Sequence, residues 1–230
     1  MKSGLVSLIT LSWHHSLDLT IPFMDSLAAY NKDFELIIVD QQSIPWQPGC
    51  MPTDGAFLAT RPWLKILRLI ENSGFPRGNN LGLDECSGEI ILIINNDVVV
   101  HGDILTLPRT FVEKDNETIV GMWLREHAGW NEFRQGNKYV HVPYLEGAYL
   151  MFHRSILDKI GGYLFDERFG KGGMEDVEFC RRAQSAGLKL CAIDLPLVHL
   201  GAKTTGDGRY SQCEITRANY EMVKEMVFAK

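Results

Sequence analysis

The sequence predicts an α/β protein built on a largely parallel sheet with helices packed against it, and three observations carry the prediction. Ile90-Ile91-Leu92-Ile93-Ile94, bounded by Gly88-Glu89 and by Asn95, is an unbroken aliphatic run rich in Ile. Such a run suits a central strand buried on both faces. Near the N-terminus a strand, a helix and a second strand follow within about 35 residues, the pattern of a βαβ unit. Segments of strand character then alternate with segments of helical spacing along the rest of the chain.

Leu5–Leu11 is the first strand, and Ser12-Trp13-His14-His15 is its polar end. Ser16–Tyr30 carries Leu17, Ile21, Met24, Leu27 and Ala28 at helical spacing. Pro22 fits when that helix begins near Thr20, since proline is tolerated in a first turn. Phe34–Asp40 is a second strand that ends in an acid. Between Gln41 and Trp63 the signal is broken by Pro45, Pro48, Gly49, Pro52 and Pro62, with a helical turn or two at Asp54–Thr60. Lys65–Ile70 alternates and suits a sheet edge or a one-sided position. Glu71–Asn80 reads as a Gly/Asn-rich loop that leads into a short helix, Leu81–Cys86, before the central run.

Beyond that run, Ile104–Val112 reads as a helix and Thr118–Trp123 as a strand. Glu126–Tyr144 reads as an aromatic loop or hairpin, and Gly147–Phe152 as a further strand. Arg154–Ile160 is helical and stops at Gly161-Gly162. Gly170–Gly173 reads as flexible, Met174–Ala186 as a helix ended by Gly187, and Leu188–Ile193 as a strand to which Leu197-Val198-His199 can add one. From Gln212 to Lys230, Ile215, Tyr220, Met222, Val223, Met226 and Val227 mark one side of a tail helix, which packs on its own domain or forms a dimer contact. The spacing does not reveal an oligomeric state.

The 230 residues, 45% hydrophobic and 23% charged, are those of a soluble globular protein. A net charge of −6 excludes the basic surface of a nucleic-acid binder, so an anionic ligand has to be held by local groups. The five cysteines, Cys50, Cys86, Cys180, Cys191 and Cys213, are odd in number and widely spaced. Their spacing shows no disulfide framework and no zinc pattern. Reduced thiols and a cytoplasmic location are expected. No signal peptide precedes Leu5 and no apolar run approaches the ~20 residues of a membrane helix, so membrane contact is expected to be peripheral at most.

In a parallel sheet, Thr10 and Ser12, Asp40, and Asn95-Asn96-Asp97 all fall at one edge, beyond which ligands of open α/β sheets bind. A chain reversal also accounts for Asn95-Asn96-Asp97. Asp97, at the rim of an apolar core, requires a partner, hydrogen bonds or a metal. No Gly-x-Gly-x-x-Gly follows the first strand and no Walker-type lysine loop is present, which removes the main support for dinucleotide and P-loop readings. Gly78-Asn79-Asn80 at a helix start offers backbone donors to phosphate. Glu175-Asp176 lies in a first helical turn, where acids favour the helix dipole. The alternative is a general base that the dipole keeps ionised and a mobile glycine segment carries over substrate. His199 is either structural or, with a carboxylate such as Asp97, a divalent-metal ligand, and Lys203, Thr204 and Thr205 can face phosphate.

Four pieces, in order, resemble a family 2 inverting glycosyltransferase of GT-A fold, and most closely its rhamnosyltransferase-like branch. They are Asn72-Ser73-Gly74-Phe75 through Asn79-Asn80-Leu81-Gly82, Asn95-Asn96-Asp97, Gly161-Gly162-Tyr163-Leu164-Phe165-Asp166-Glu167-Arg168-Phe169, and Glu175-Asp176-Val177-Glu178-Phe179-Cys180-Arg181-Arg182-Ala183. His199-x-Gly201 follows them, and the likeness spans about Leu5 to Thr205. It implies a mixed, mostly parallel sheet in a single catalytic domain over residues 1–205, followed by a tail helix over 206–230. Donor binding falls in about 1–100 and acceptor binding and catalysis in about 101–205. It implies that Asp40 hydrogen-bonds a pyrimidine base beside Thr10 and Ser12, and that Asn95 or Asn96 meets the ribose. Arg77, which reaches the diphosphate, and Asn80 join the donor set. Asp97 binds Mn²⁺ or Mg²⁺ with His199 as a further ligand, and Asp176 is the base. Trp123, Glu146 and Glu175 belong to the acceptor side. Asn95 stands where many relatives carry Asp, and Gly170–Gly173 replaces an aromatic segment that often precedes Glu-Asp.

The resemblance further implies a UDP- or dTDP-linked sugar donor and a glycan or glycolipid acceptor, in polysaccharide or glycoconjugate synthesis. Inversion is one in-line displacement, with a base on one face and a divalent ion neutralising the departing diphosphate on the other. Mixed carboxylate and imidazole ligation suits Mn²⁺ as well as Mg²⁺. Two alternatives stand beside it. A sugar-1-phosphate nucleotidyltransferase calls for a glycine-rich, basic loop where Ser12-Trp13-His14-His15 stands. An inactive nucleotide-sugar or glycan-binding module is compatible with Asn95 in place of Asp.

Overall fold

A computed structural model of the protein describes residues 1–41, 55–122, 140–201 and 217–224. The strands are β1 (Lys2–Ser12), β2 (Phe34–Gln41), β3 (Leu64–Leu69), β4 (Gly88–Ile94), β5 (Val98–Val100), β6 (Thr118–Met122), β7 (Val140–His141), β8 (Tyr149–His153), β9 (Lys189–Ile193) and β10 (Leu197–His199). The helices are α1 (Ile21–Tyr30), α2 (Gly55–Ala59), α3 (Phe75–Asp84), α4 (Thr106–Lys114), α5 (Ile156–Lys159), α6 (Glu175–Ser185) and α7 (217–224). One eight-stranded sheet runs in the order β3-β2-β1-β4-β8-β6-β9-β7, and β10 pairs with β5 in a separate ribbon. β1, β2, β3 and β4 are mutually parallel, as are β6 and β9, while β8 runs antiparallel between β4 and β6. The carboxyl ends of six strands therefore share one edge.

Alternation along the strands builds two apolar layers. Leu8, Leu36, Leu92, Val120 and Met151 face the layer under Phe23, Met24 and Leu27 of α1 and Val112 of α4. Ile9, Ile37, Ile91, Ile93 and Phe152 face the layer under Leu83 of α3, Ile156 of α5 and Phe179 of α6. β4 contributes fully buried residues to both layers, which explains why its sequence is apolar without alternation. β3 occupies the sheet edge, and its one-sided pattern is the consequence.

One boundary falls where the sequence places it and another differs. A helical turn of π type spans Ser16–Thr20 before α1, which places Pro22 in the first turn of α1. The helix expected at Leu81–Cys86 begins at Phe75, inside the predicted loop. Gly74, with φ of +86°, turns the chain into it, and Pro76 follows in the first turn. The Asn79 side chain, a loop signal in the sequence, donates to the Phe75 carbonyl one helical turn back. Gly82 lets the helix settle on Ile9, whose Cγ2 would be 2.5 Å from an added Cβ.

Cys86, Cys180 and Cys191 are buried free thiols. Among the described residues no helix is long and apolar enough to cross a membrane. The α7 segment packs on its own domain, burying Asn219 and Val223 one turn apart. Trp123, Lys203, Thr204, Thr205, Cys50, Cys213 and most of the predicted 126–144 hairpin lie outside the described residues.

Candidate active site

Parallel pairing sets Ser12 directly beside Asp40, and both are completely buried. Asp40 also faces Arg68 across the β2–β3 ladder, with the Arg68 Nε 3.1 Å from Asp40 Oδ2. That ion pair allows a carboxylate to sit in a dry sheet end. Ser12 Oγ accepts from Thr20 Oγ1 at 2.9 Å and lies 3.0 Å from Ser16 Oγ. Thr20 Oγ1 in turn accepts from Asn96 Nδ2 at 3.0 Å. One hydroxyl chain thus joins the ends of β1 and β4 through the turn before α1. Thr10 is fully buried and its hydroxyl oxygen makes no hydrogen bond among the described residues.

After β4 the chain leaves the main sheet at Asn95-Asn96-Asp97 and resumes as β5, which pairs antiparallel with β10 so that Val98 opposes His199. The backbone bond from Leu200 N to the Asp97 carbonyl, 2.8 Å, extends that pairing by one step. His199 Nε2 consequently stands 3.1 Å from Asp97 Oδ1 and 3.3 Å from Asn95 Nδ2. Burial alone would lower the imidazole pKa, but the hydrogen bond and charge of Asp97, with the charge of Glu146, outweigh it and the net direction is upward.

These three side chains suit a divalent cation. Ligand atoms about 2.1 Å from an octahedral ion stand about 3 Å apart along an edge, close to the observed Asp97–His199 separation. Among the described residues no group of three or more His, Cys, Asp and Glu side chains converges. Asp97, His199 and the amide of Asn95 would offer a cation an incomplete donor set.

Asp176 opens the first turn of α6, and its carboxylate is strongly solvated by the protein. Oδ2 accepts from the Tyr144 hydroxyl at 2.5 Å and from Gly147 N at 3.1 Å, and Oδ1 from Val177 N at 2.8 Å. The helix-dipole argument anticipates a carboxyl held ionised, yet the direction of the Asp176 pKa is upward. Burial dominates over those donors, and the charge of Glu146 adds to it. Glu175 is pushed upward by burial and then by Asp176, and its Oε2 is buried without a hydrogen bond. Burial and the Asp176 charge also raise Tyr144, keeping it a phenol that can only donate to the carboxylate. Glu146 is the electrostatic link between the two constellations, since its charge reaches Tyr144 and Asp176 on one side and His199 on the other.

Arg77 and Asn80 are engaged elsewhere. Arg77 Nη1 pairs with Glu167 Oε2 at 3.0 Å. Asn80 donates to the Phe165 carbonyl and to Glu167 Oε1 and accepts from Phe165 N, so its amide ties α3 to the segment before α6. Tyr144, Thr20, Arg68 and the backbone amide of Gly147 were not anticipated as site groups. Their partners are distant in sequence, and only the position of Tyr144, two residues before Glu146, offered a signal.

The family model described as Glycosyl transferase family 2 matches residues 18–161. Among curated proteins none matches the sequence. A crystal structure of GalNAc-T7 with UDP, GalNAc and Mn²⁺ superposes with a TM-score of 0.67 at 13% identity, covering 82% of this chain and 42% of that one. The mannosyltransferase PcManGT from Pyrobaculum calidifontis, in complex with GDP-Man and Mn²⁺, gives 0.61 at 21% identity, covering 83% and 54%. TarS from S. aureus gives 0.57 at 17% identity, covering 82% and 35%. The fold is that of GT-A glycosyltransferases, and the chain spans about half or less of the length of these structures.

Proposed function

This chain belongs to glycosyl transferase family 2, and from that membership we propose that it moves a sugar from a UDP- or dTDP-linked donor to an acceptor hydroxyl with inversion, assisted by Mn²⁺ or Mg²⁺. The approach of His199 Nε2 to Asp97 Oδ1 at 3.1 Å carries this reading. Two cation ligands from distant parts of the chain meet at the sheet edge where Ser12 and Asp40 also end.

In this assignment Asp40 accepts from the pyrimidine base, with Thr10 and Ser12 beside it, and Asn95 or Asn96 meets the ribose. Asp97 and His199 hold the cation, which when bound neutralises charge on the diphosphate. Asp176 takes the proton of the acceptor hydroxyl, and Tyr144 and Gly147 N aim its Oδ2. A carboxyl whose pKa is raised is a better-matched base than an ordinary one, because proton transfer is most effective when the base titrates near the working pH. Glu146 and Glu175 are assigned to the acceptor side, as is Trp123 from its place in the sequence, and Arg77 and Asn80 would join the donor set on release from Glu167. Residues 1–205 form one catalytic domain, donor-binding in the first half and acceptor-binding in the second, and the acceptor is a glycan or glycolipid.

Calorimetry with a panel of UDP-, dTDP- and GDP-linked sugars, with and without Mn²⁺, tests the reading. One donor is expected to bind only with the metal and to be slowly hydrolysed. Absence of binding across the panel with Mn²⁺ present overturns it.

A further inference from the structure

The loop that delivers Glu175 and Asp176 is backbone in an unusual state. Gly170, Gly172 and Gly173 have φ of +59°, +121° and +93°, and Met174, the residue that caps α6, has +78°. An L residue such as Met174 persists in that region only where its surroundings hold it. A sequence of this kind is expected to be mobile, yet its carbonyls are tied from outside. Asn219 of α7 donates its side-chain amide to the carbonyls of Phe169 at 3.1 Å, Gly172 at 3.0 Å and Gly173 at 2.8 Å. The amide has two hydrogens, so three acceptors share them, and the geometry pins both ends of the loop to one buried side chain. The other face is held by Phe75 N on the Lys171 carbonyl, 3.2 Å.

We propose that Asn219 is a positioning residue for catalysis: its amide fixes the 169–173 loop and thereby sets the Glu175-Asp176 pair at the start of α6. The connection is short. Gly172 and Gly173 both give their carbonyls to Asn219, a Cβ added to Gly172 would lie 3.7 Å from Glu175 Oε1, and Asp176 is the residue after Glu175. The inference rests on the transferase reading, because it gives Asn219 a consequence only through the base. It extends that reading to the tail helix, which reaches into the site's framework by hydrogen bonds to backbone rather than by touching substrate.

The test compares Asn219→Ala and the isosteric Asn219→Asp with the wild-type chain. UDP with Mn²⁺ is the binding probe, and nucleoside diphosphate release from the panel donor gives the turnover. Expected results are a fall in kcat of at least tenfold, UDP affinity and donor KM within about twofold of wild type, and faster hydrogen exchange in the 169–176 peptide. Asn219→Asp should be no better than Asn219→Ala despite its shape, since a carboxylate offers three carbonyls no proton. An unchanged kcat in either folded variant, or equal loss of kcat and UDP affinity, overturns the proposal. A wild-type chain that neither binds UDP nor turns over any donor sinks the transferase reading instead. In that case unchanged exchange of the 169–176 peptide in the variants separately refutes the clamp.

Discussion

The Tyr144 hydroxyl donates to Asp176 Oδ2 at 2.5 Å, across 32 positions of sequence, and Gly147 N donates to the same oxygen. Tyr144 is thus a group that keeps a buried carboxyl from titrating still higher. Tyr144→Phe removes a donor to the charged form, so the Asp176 pKa rises further. A base acts only when deprotonated, and the acid limb of kcat/KM for donor hydrolysis should move upward by about one pH unit, equivalent to about 1.4 kcal/mol. An unmoved limb would show that the bond does not tune the base.

Asp176→Asn separates base from scaffold. The amide keeps the shape and can still accept from Gly147 N, so donor affinity is expected to stay within about tenfold, roughly 1.4 kcal/mol, while transfer falls by 10²-fold or more. Parallel loss of both would make Asp176 a structural residue.

Asp97→Ala removes the carboxylate beside His199 Nε2 and leaves the Asn95 amide next to it. Mn²⁺-dependent binding of UDP should weaken by at least tenfold, and metal-independent binding should change little. Calorimetry at fixed UDP with varied Mn²⁺ reads the difference. Equal affinity in both chains would move the cation away from Asp97.

Much of the strand framework was visible in the sequence because it is written in local, apolar runs such as Ile90–Ile94. The polar ends of β1, β2 and β4 were visible for the same reason, being abrupt breaks in those runs. The start of α3 was not, since Gly74, Gly78 and Asn79 carry loop signals that only packing against Leu11, Gln41 and Gly170 explains. Partnerships across the fold were hidden in principle. Nothing local to Arg68 announces Asp40, and nothing near Asn219 announces Gly173, because each pairing is a product of sheet order or helix docking.

Stability should depend on acid through a network at the opposite edge of the sheet. Burial alone would raise the Glu35 pKa, but Ser7 Oγ at 2.5 Å, Ser87 N at 2.5 Å, Ser87 Oγ at 2.9 Å and Lys65 Nζ at 3.0 Å reverse it, lowering it from 4.5 to about 2. A folded-state pKa below the unfolded one stabilises above about 4.5 and loses that contribution as pH falls toward 2. The size is about 3 kcal/mol at neutral pH. Glu35→Gln should therefore cost about 2–3 kcal/mol in urea unfolding at pH 7, and the gap should narrow by about 2 kcal/mol at pH 3. A gap independent of pH would show that the ionised carboxylate is not its source.

Two glycines of one short segment should respond in different ways to the same substitution. A Cβ on Gly78 would meet Leu11 Cδ2 at 3.0 Å, the far end of a flexible side chain. Gly78→Ala gains helix propensity of up to about 1 kcal/mol and loses a similar amount to that contact, so its net effect on stability is near zero. A Cβ on Gly74 would lie 2.0 Å from the Gly170 carbonyl oxygen and 2.9 Å from Lys171 Cα, all backbone, at φ of +86°. Neither partner can yield without parting α3 from the loop ahead of α6, the loop that Asn219 holds on its other face. Gly74→Ala should cost about 2–4 kcal/mol and should lower kcat for donor hydrolysis along with the melting temperature, whereas Gly78→Ala should leave both within error. Denaturant titration and initial rates on the two variants decide it, and a Gly74→Ala chain as stable and active as Gly78→Ala would show that the contact between the two loops is dispensable.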